Sequence, residues 1–164
     1  MVRINDLIKV HRLIDDMFFE HQRALLHFDF EKALTSLEVY ESTLIRHMQD
    51  EEEVLLPAYA ELASLPGAGA ARLFFDDHEK MRGYVESFKE KTARLASEPD
   101  IDRALLQLLD REAFYLRLCG HHDKRETEFL YPILEERLSD VEKRQLLSNI
   151  DLTPVSTHSM ATEA

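Results

Sequence analysis

The sequence predicts an all-α protein: an antiparallel up-down-up-down four-helix bundle followed by a short C-terminal fifth helix. Three observations predict it. Apolar residues recur at helical spacing through four long segments. Only 4 Gly, 5 Pro and no Trp occur in a chain otherwise rich in Leu, Glu, Ala, Lys and Arg, so tight turns are few. The breaks between the segments are short, and short connections make successive helices antiparallel neighbours.

The first helix carries Ile4, Leu7, Ile14, Phe18 and Leu25 on one side and is expected to run to about His27. Asp29 is placed to cap the second, whose stripe is Leu34, Leu37, Leu44, Met48 and Leu55. Pro57 lacks an N–H donor and is expected to kink or end that helix. The clearest break is Pro66-Gly67-Ala68-Gly69. A third helix follows with Phe74, Phe75, Met81, Val85 and Phe88 as its stripe, up to a turn around Ser97-Glu98-Pro99-Asp100. The fourth is expected from Ile101 towards Leu138. Ser139 followed three residues later by Glu142 signals a capping box for a fifth helix to about Leu147. One domain, residues 1–148, is expected, with a disordered tail over 149–164, because 164 residues of 45% hydrophobic content suffice for one core.

A formal net charge of −12 opposes a nucleic-acid partner, which requires a basic surface. No segment approaches the uncharged run of about 18 residues that a membrane span needs, and residues 1–6 lack an apolar leader core, so a cytoplasmic protein with no membrane partner is expected. The single cysteine, Cys119, cannot form an internal disulfide. The unusual count is histidine, at 8.

Two of those histidines open the same phrase, HMQDEEEVLLP from His47 and HDKRETEFLYP from His122. Aligned on them, both have Glu at +4 (Glu51, Glu126), Glu at +6 (Glu53, Glu128), Leu at +8 (Leu55, Leu130) and Pro at +10 (Pro57, Pro132). His and Glu four apart lie one turn apart on one helical face, so an imidazole nitrogen and a carboxylate oxygen can reach a common metal pair. A lone pair of this kind is ordinarily a surface feature. Here His47 continues the stripe of Leu44, Met48 and Leu55, and His122 falls with Leu108, Tyr115, Phe129 and Ile133. A carboxylate among core positions is costly unless paired, and coordination is one way to pair it.

The first and third helices should supply histidines at the same depth. His47 is 19 residues beyond Phe28 and His11 is 17 before it, a difference of about 3 Å at 1.5 Å per residue. His21, 7 before Phe28, misses by about 18 Å. His122 is 23 beyond Pro99 and His78 is 21 before it, again level. The constellation is His11, His47, Glu51, His78, His122 and Glu126, with His21 and His121 as fallbacks. Across Gly67 the count is unequal, 20 back to His47 against 11 forward to His78, so that connection is expected to be partly non-helical or the second helix bent.

With these residues in hand, the chain resembles the hemerythrin-like (HHE cation-binding) family, which places a His on each odd helix and H-x-x-x-E on each even one. The resemblance covers about Asn5 to Leu138, and DDHEKM around His78 is similar to the family's third-helix signature. It implies a carboxylate-bridged centre of two iron ions, with Glu51 and Glu126 bridging and the four histidines as terminal ligands. Oxygen-carrying hemerythrins have a further His where this chain has Phe74. The six-ligand set resembles that of iron-centre repair proteins, whose usual cysteine-bearing N-terminal domain has no counterpart in these residues.

Imidazole and carboxylate also suit zinc or manganese, so iron rests on the resemblance. The expected function is a non-haem di-iron protein that binds or senses oxygen or nitric oxide, or buffers iron, with a small diatomic ligand as partner and any sensing reported through a partner or self-association, a homo-oligomer being possible. The alternatives are a di-iron enzyme acting on peroxide or nitric oxide or repairing iron–sulfur clusters, and a helical interaction protein with a structural metal. An open coordination position separates the first two from the third, and turnover the first from the second. Tyr115 and Cys119 read as core residues more readily than as ligands. His21 and His121 read as satisfied histidines at the bundle edge, and His27 and His158 as loop and tail residues. Glu52 and Glu53 read as a solvated face, although Glu52 matches an alternative carboxylate position.

Overall fold

A computed structural model describes residues 3–62 and 70–150. The described residues are helical throughout apart from turns, and no strand occurs among them. A 3-10 turn, Ile4–Asp6, leads into α1 (Leu7–Leu26), followed by α2 (Phe30–Asp50), α3 (Leu56–Leu62), α4 (Ala70–Arg94) with a second 3-10 turn at Leu95–Ser97, α5 (Ile101–Arg125), α6 (Tyr131–Arg137) and α7 (Asp140–Leu147). The expected break at Pro66–Gly69 and the unequal count across it fall on residues 63–69, outside the described residues; so does the expected tail from residue 151 on, His158 included.

Local chemistry accounts for the helix ends. Asp29 accepts from the Lys32 N–H and Asp100 from the Arg103 N–H, each at 3.1 Å, satisfying donors that the first turn of α2 and of α5 leaves open. Between α1 and α2 the chain turns at Phe28, whose φ of 58° lies in the left-handed region. Ser139 and Glu142 form the reciprocal capping box at α7.

The four long helices touch in a ring, α1 with α2, α2 with α4, α4 with α5 and α5 with α1. Their inward stripes form two buried clusters. One holds Phe18, Leu37, Tyr40, Leu44, Met48, Met81, Val85, Phe88, Leu108 and Tyr115 among others; the second holds Ile4, Leu7, Leu55, Leu56, Tyr59, Phe74, Leu130, Tyr131 and Leu134. On every long helix a histidine lies at the seam between them. His11 stands between Leu7 and Ile14, His47 between Leu44 and Leu55, His78 between Phe74 and Met81, and His122 between Cys119 and Leu130.

Four stripe positions differ from expectation. Leu34 and Ile133 are half-buried, while Phe75 and Phe129 are exposed at 42% and 51%. Phe129 and Ile133 lose their place because α5 does not continue as a regular helix. Glu126–Leu130 is a π segment, in which the Tyr131 N–H reaches the Glu126 carbonyl five residues back. Glu51–Leu55 is its counterpart between α2 and α3, with the Leu56 N–H on the Glu51 carbonyl. Each adds one residue to a turn and so rotates everything beyond it by about 100°. Leu130, Tyr131 and Leu134 thereby replace Phe129 and Ile133 on the inner face.

The two prolines explain where the segments fall. A prolyl ring clashes with the carbonyl four residues before it, and widening the preceding turn relieves that clash. Pro57 and Pro132 each sit two residues beyond the end of a π segment. The second helix therefore neither ends nor simply kinks at Pro57; it widens before the proline and resumes as α3.

Candidate metal centre

Five of the six residues singled out by spacing are buried, the sixth, His47, has a side chain only 10% exposed, and the fold brings all six together. They form two groups that share both carboxylates: His11, His47, Glu51 and Glu126, and Glu51, His78, His122 and Glu126. Within each group the four ligand atoms lie within 4.8 Å of one another, so either group can hold a metal ion.

The carboxylates lie between the histidine pairs. Glu51 Oε1 is 3.3 Å from His47 Nε2 and 4.0 Å from His11 Nε2, while its Oε2 is 3.3 Å from His78 Nε2. Glu126 Oε2 is 3.1 Å from His11 Nε2, and its Oε1 is 2.9 Å from His122 Nε2. Both Glu51 and Glu126 are the first residues of the π segments, so the widened turn begins on a carboxylate at each place. Glu51 Oε2 and Glu126 Oε1 are buried without a hydrogen-bond partner among the described residues, although nitrogens stand close by. Close approach without hydrogen-bond alignment is what atoms show when they converge on a common point instead of on each other.

The surrounding side chains orient the ligands. His78 Nδ1 donates to Glu52 Oε1 at 2.8 Å, and Arg82 Nη2 lies 2.9 Å from both Glu52 oxygens. His122 Nδ1 faces Asp77 Oδ2 at 3.4 Å, and Arg125 pairs with that same oxygen. With both Nδ1 atoms engaged, the two Nε2 atoms meet at 3.1 Å with their lone pairs inward, an arrangement that calls for a proton or a cation between them. The Tyr131 hydroxyl lies 3.0 Å from His11 Nε2, 3.2 Å from Glu51 Oε1 and 3.3 Å from Glu126 Oε2.

Burial alone would disfavour charge on these groups, but their mutual contacts override it. Burial lowers the His11 pKa, yet the neighbouring carboxylates of Glu126 and Glu51 raise it to about 11. Burial likewise opposes ionisation of Glu51, but His47, His11 and His78 hold its carboxyl well below the usual range. Glu126 is lowered too, with burial and the Glu51 charge opposing and His122 and His11 prevailing. His122 is raised by Glu126 against its burial, while burial lowers His47. The proton held on His11 thus offsets part of the carboxylate charge, and a cation entering the cluster must displace it.

The signs fix a pH window. Stability from protonated His11 is full below its unfolded value of 6.5 and is lost as pH rises towards about 11. Stability from ionised Glu51 and Glu126 is present above 4.5 and is lost as pH falls through their lowered values. At neutral pH, loading with a divalent ion is expected to release about one proton or more per chain, and the apparent affinity to fall about tenfold for each unit by which pH is lowered, per proton displaced. A pH-indicator titration in weak buffer measures this; uptake with no proton release would contradict the assignment.

A cavity of about 20 Å³ adjoins the cluster, bordered by His11, His47, His122, Phe18, Tyr40 and Cys119 among others. That is space for roughly one water-sized molecule. Burial pushes the Cys119 thiol up to about 12, so it stands as an un-ionised core residue. Tyr115 bonds the Tyr40 hydroxyl at 2.5 Å within the core.

The fallback histidines stand elsewhere. His121 is exposed. His21 is not at an edge: fully buried, it is held by the Ala33 carbonyl and Glu112, each at 2.8 Å. Glu52 does not belong to a solvated face, since it backs His78. Sequence reasoning missed Tyr131, Asp77, Arg82 and Arg125. Tyr131 had one available signal: it stands at +9 in the second phrase, where the first has Leu56, the one mismatch in an otherwise matching Leu-x-Pro ending.

Fold and site together define an all-helical protein with a buried His/Glu cluster able to hold a metal ion. Among the described residues, no helix is long and apolar enough to cross a membrane. Compared with protein-family models, curated proteins and solved structures, the chain has no significant match.

Proposed function

We propose that this chain is a hemerythrin-like up-down-up-down four-helix bundle, a non-haem di-iron protein that binds or senses oxygen or nitric oxide, or buffers iron. The observation that carries the proposal is the sharing of two buried carboxylates, Glu51 and Glu126, between two pairs of histidines. A single structural ion would use one closed set of four ligands. Six ligands with two in common suit a pair of ions bridged by carboxylates, each with fewer protein donors than iron's usual six.

A bound iron pair would supply redox-active positions open to a diatomic molecule. The protein's own part is to keep His78 and His122 in the ligating tautomer, to hold the carboxylates ionised in a water-poor core, and to leave a cavity of about 20 Å³ beside the cluster. The Tyr131 hydroxyl, within reach of His11 and both carboxylates, holds a proton at the centre of the site. The ring of contacts among α1, α2, α4 and α5, with only three residues between α1 and α2, supports the bundle arrangement.

Elemental analysis of anaerobically purified protein, with visible spectra before and after admitting air, tests the reading. About two irons per chain and a spectrum that changes on exposure are expected. One zinc per chain, or no uptake under iron-loading conditions, would sink it. Metal removal gives a second check. An ion held at a thousand times its dissociation constant stabilises the fold by about 4 kcal/mol, so stripping with a chelator should lower the melting temperature by roughly 10 °C. An unchanged melting curve would count against a resident metal.

A further inference from the structure

The two halves of the centre are not supported alike. In one half, the outward nitrogens of both His78 and His122 face a carboxylate from the neighbouring helix, and an arginine holds each carboxylate. Glu52, next to the ligand Glu51, reaches across to His78 on α4 and is gripped by Arg82 one turn further along. Asp77, next to the ligand His78, reaches across to His122 on α5 and is gripped by Arg125. The arrangement is reciprocal: each residue beside a ligand positions the ligand on the next helix. Glu52 is 20% exposed and Asp77 only 8%, so both pairs work partly or wholly out of water, where they hold their geometry best.

The other half is looser. His11 Nδ1 lies 3.7 Å from Asp123 Oδ1, beyond hydrogen-bond range. Its inward nitrogen is already in contact with the Tyr131 hydroxyl at 3.0 Å, a partner that an incoming ion must displace. His11 and His47 both border the cavity, whereas of the other pair His122 alone does.

We propose that Glu52 with Arg82 and Asp77 with Arg125 are positioning pairs that make the His78/His122 half the tight metal position, while the His11/His47 half binds its ion later and exchanges it. The inference rests on the metal reading above. A carboxylate on the far nitrogen fixes ring orientation and tautomer and makes the near nitrogen a stronger donor. Two such pairs on one half, and none of that quality on His11, separate the affinities of the two positions.

Anaerobic titration of the full chain with Co²⁺, followed by visible absorption, tests it. The wild type should bind in two separated steps. His47→Ala should abolish the weak step and leave the tight one, and His78→Ala the reverse. Glu52→Gln and Asp77→Asn, which keep shape and remove charge, should each weaken the tight step by roughly 10–100-fold. Glu53→Gln makes the same charge change at an exposed neighbour and should leave both steps in place. Two equal steps in the wild type, loss of the tight step in His47→Ala, or an unaltered tight step in both Glu52→Gln and Asp77→Asn would overturn the inference and leave the metal reading standing. No Co²⁺ uptake by the wild type would overturn both.

Discussion

Truncation of Glu51 to alanine should empty both ion positions at once. Its two oxygens face different histidine pairs, Oε1 the His11/His47 side and Oε2 the His78 side, so one substitution removes a donor from each of the two proposed ion positions. It also removes half of the negative charge that draws two cations into a buried site, since Glu51 and Glu126 are the only carboxylates common to both groups. The loss should exceed the roughly 10–100-fold in affinity that an outer carboxylate is worth. Measured as metal per chain after gel filtration, Glu51→Ala and Glu126→Ala should both fall close to zero. His47→Ala, which touches one side, should keep about one ion. Retention of both ions by Glu51→Ala would show that the carboxylate does not bridge, and the paired-ion reading would fail with it.

The largest effect on folding is expected away from that centre, at His21 and Glu112. Both are fully buried, joined at 2.8 Å, and Gln22 adds a hydrogen bond to the second Glu112 oxygen at 3.0 Å. The other ring nitrogen of His21 donates to the Ala33 carbonyl, tying the end of α1 to the start of α2. His21→Leu strands the Glu112 carboxylate in the core and should cost about 3–5 kcal/mol, a large part of the 5–15 kcal/mol that holds a typical domain. The double replacement His21→Leu with Glu112→Leu removes the stranded charge and should recover much of the loss. Urea unfolding of the metal-free forms measures both. A single variant within about 1 kcal/mol of the wild type would mean that water reaches Glu112 and relieves it.

The two sites show different degrees of legibility. His11, His47, Glu51, His78, His122 and Glu126 could be picked out as one cluster because groups that converge from separate helices are constrained by spacing: four residues keep His and Glu on one face, and level counting matches depth across a turn. His21 fails the same count, and it lies outside the cluster, on the Ala33 carbonyl and Glu112. Its partner Glu112 is 91 residues away with no repeated motif to mark it, so the buried pair could not be foreseen. The exposed Phe129 was misplaced for a related reason. A single inserted residue in a π segment turns the helix by about 100°, and periodicity assumes that no such insertion occurs.

By itself the sequence determined what local rules govern. Apolar period set the long helices, side-chain oxygens at Asp29, Asp100 and Ser139 set three helix starts, a duplicated phrase marked four candidate ligands, and level counting across the turns added His11 and His78. Only the tertiary structure decided which side chains meet across helices: Glu52 and Arg82 behind His78, Asp77 and Arg125 behind His122, Tyr131 among His11 and both carboxylates, and Glu112 on His21. Those meetings depend on how each helix is rotated about its own axis. That rotation is set by packing all the stripes together at once, whereas spacing along one chain reports only the faces of one helix at a time.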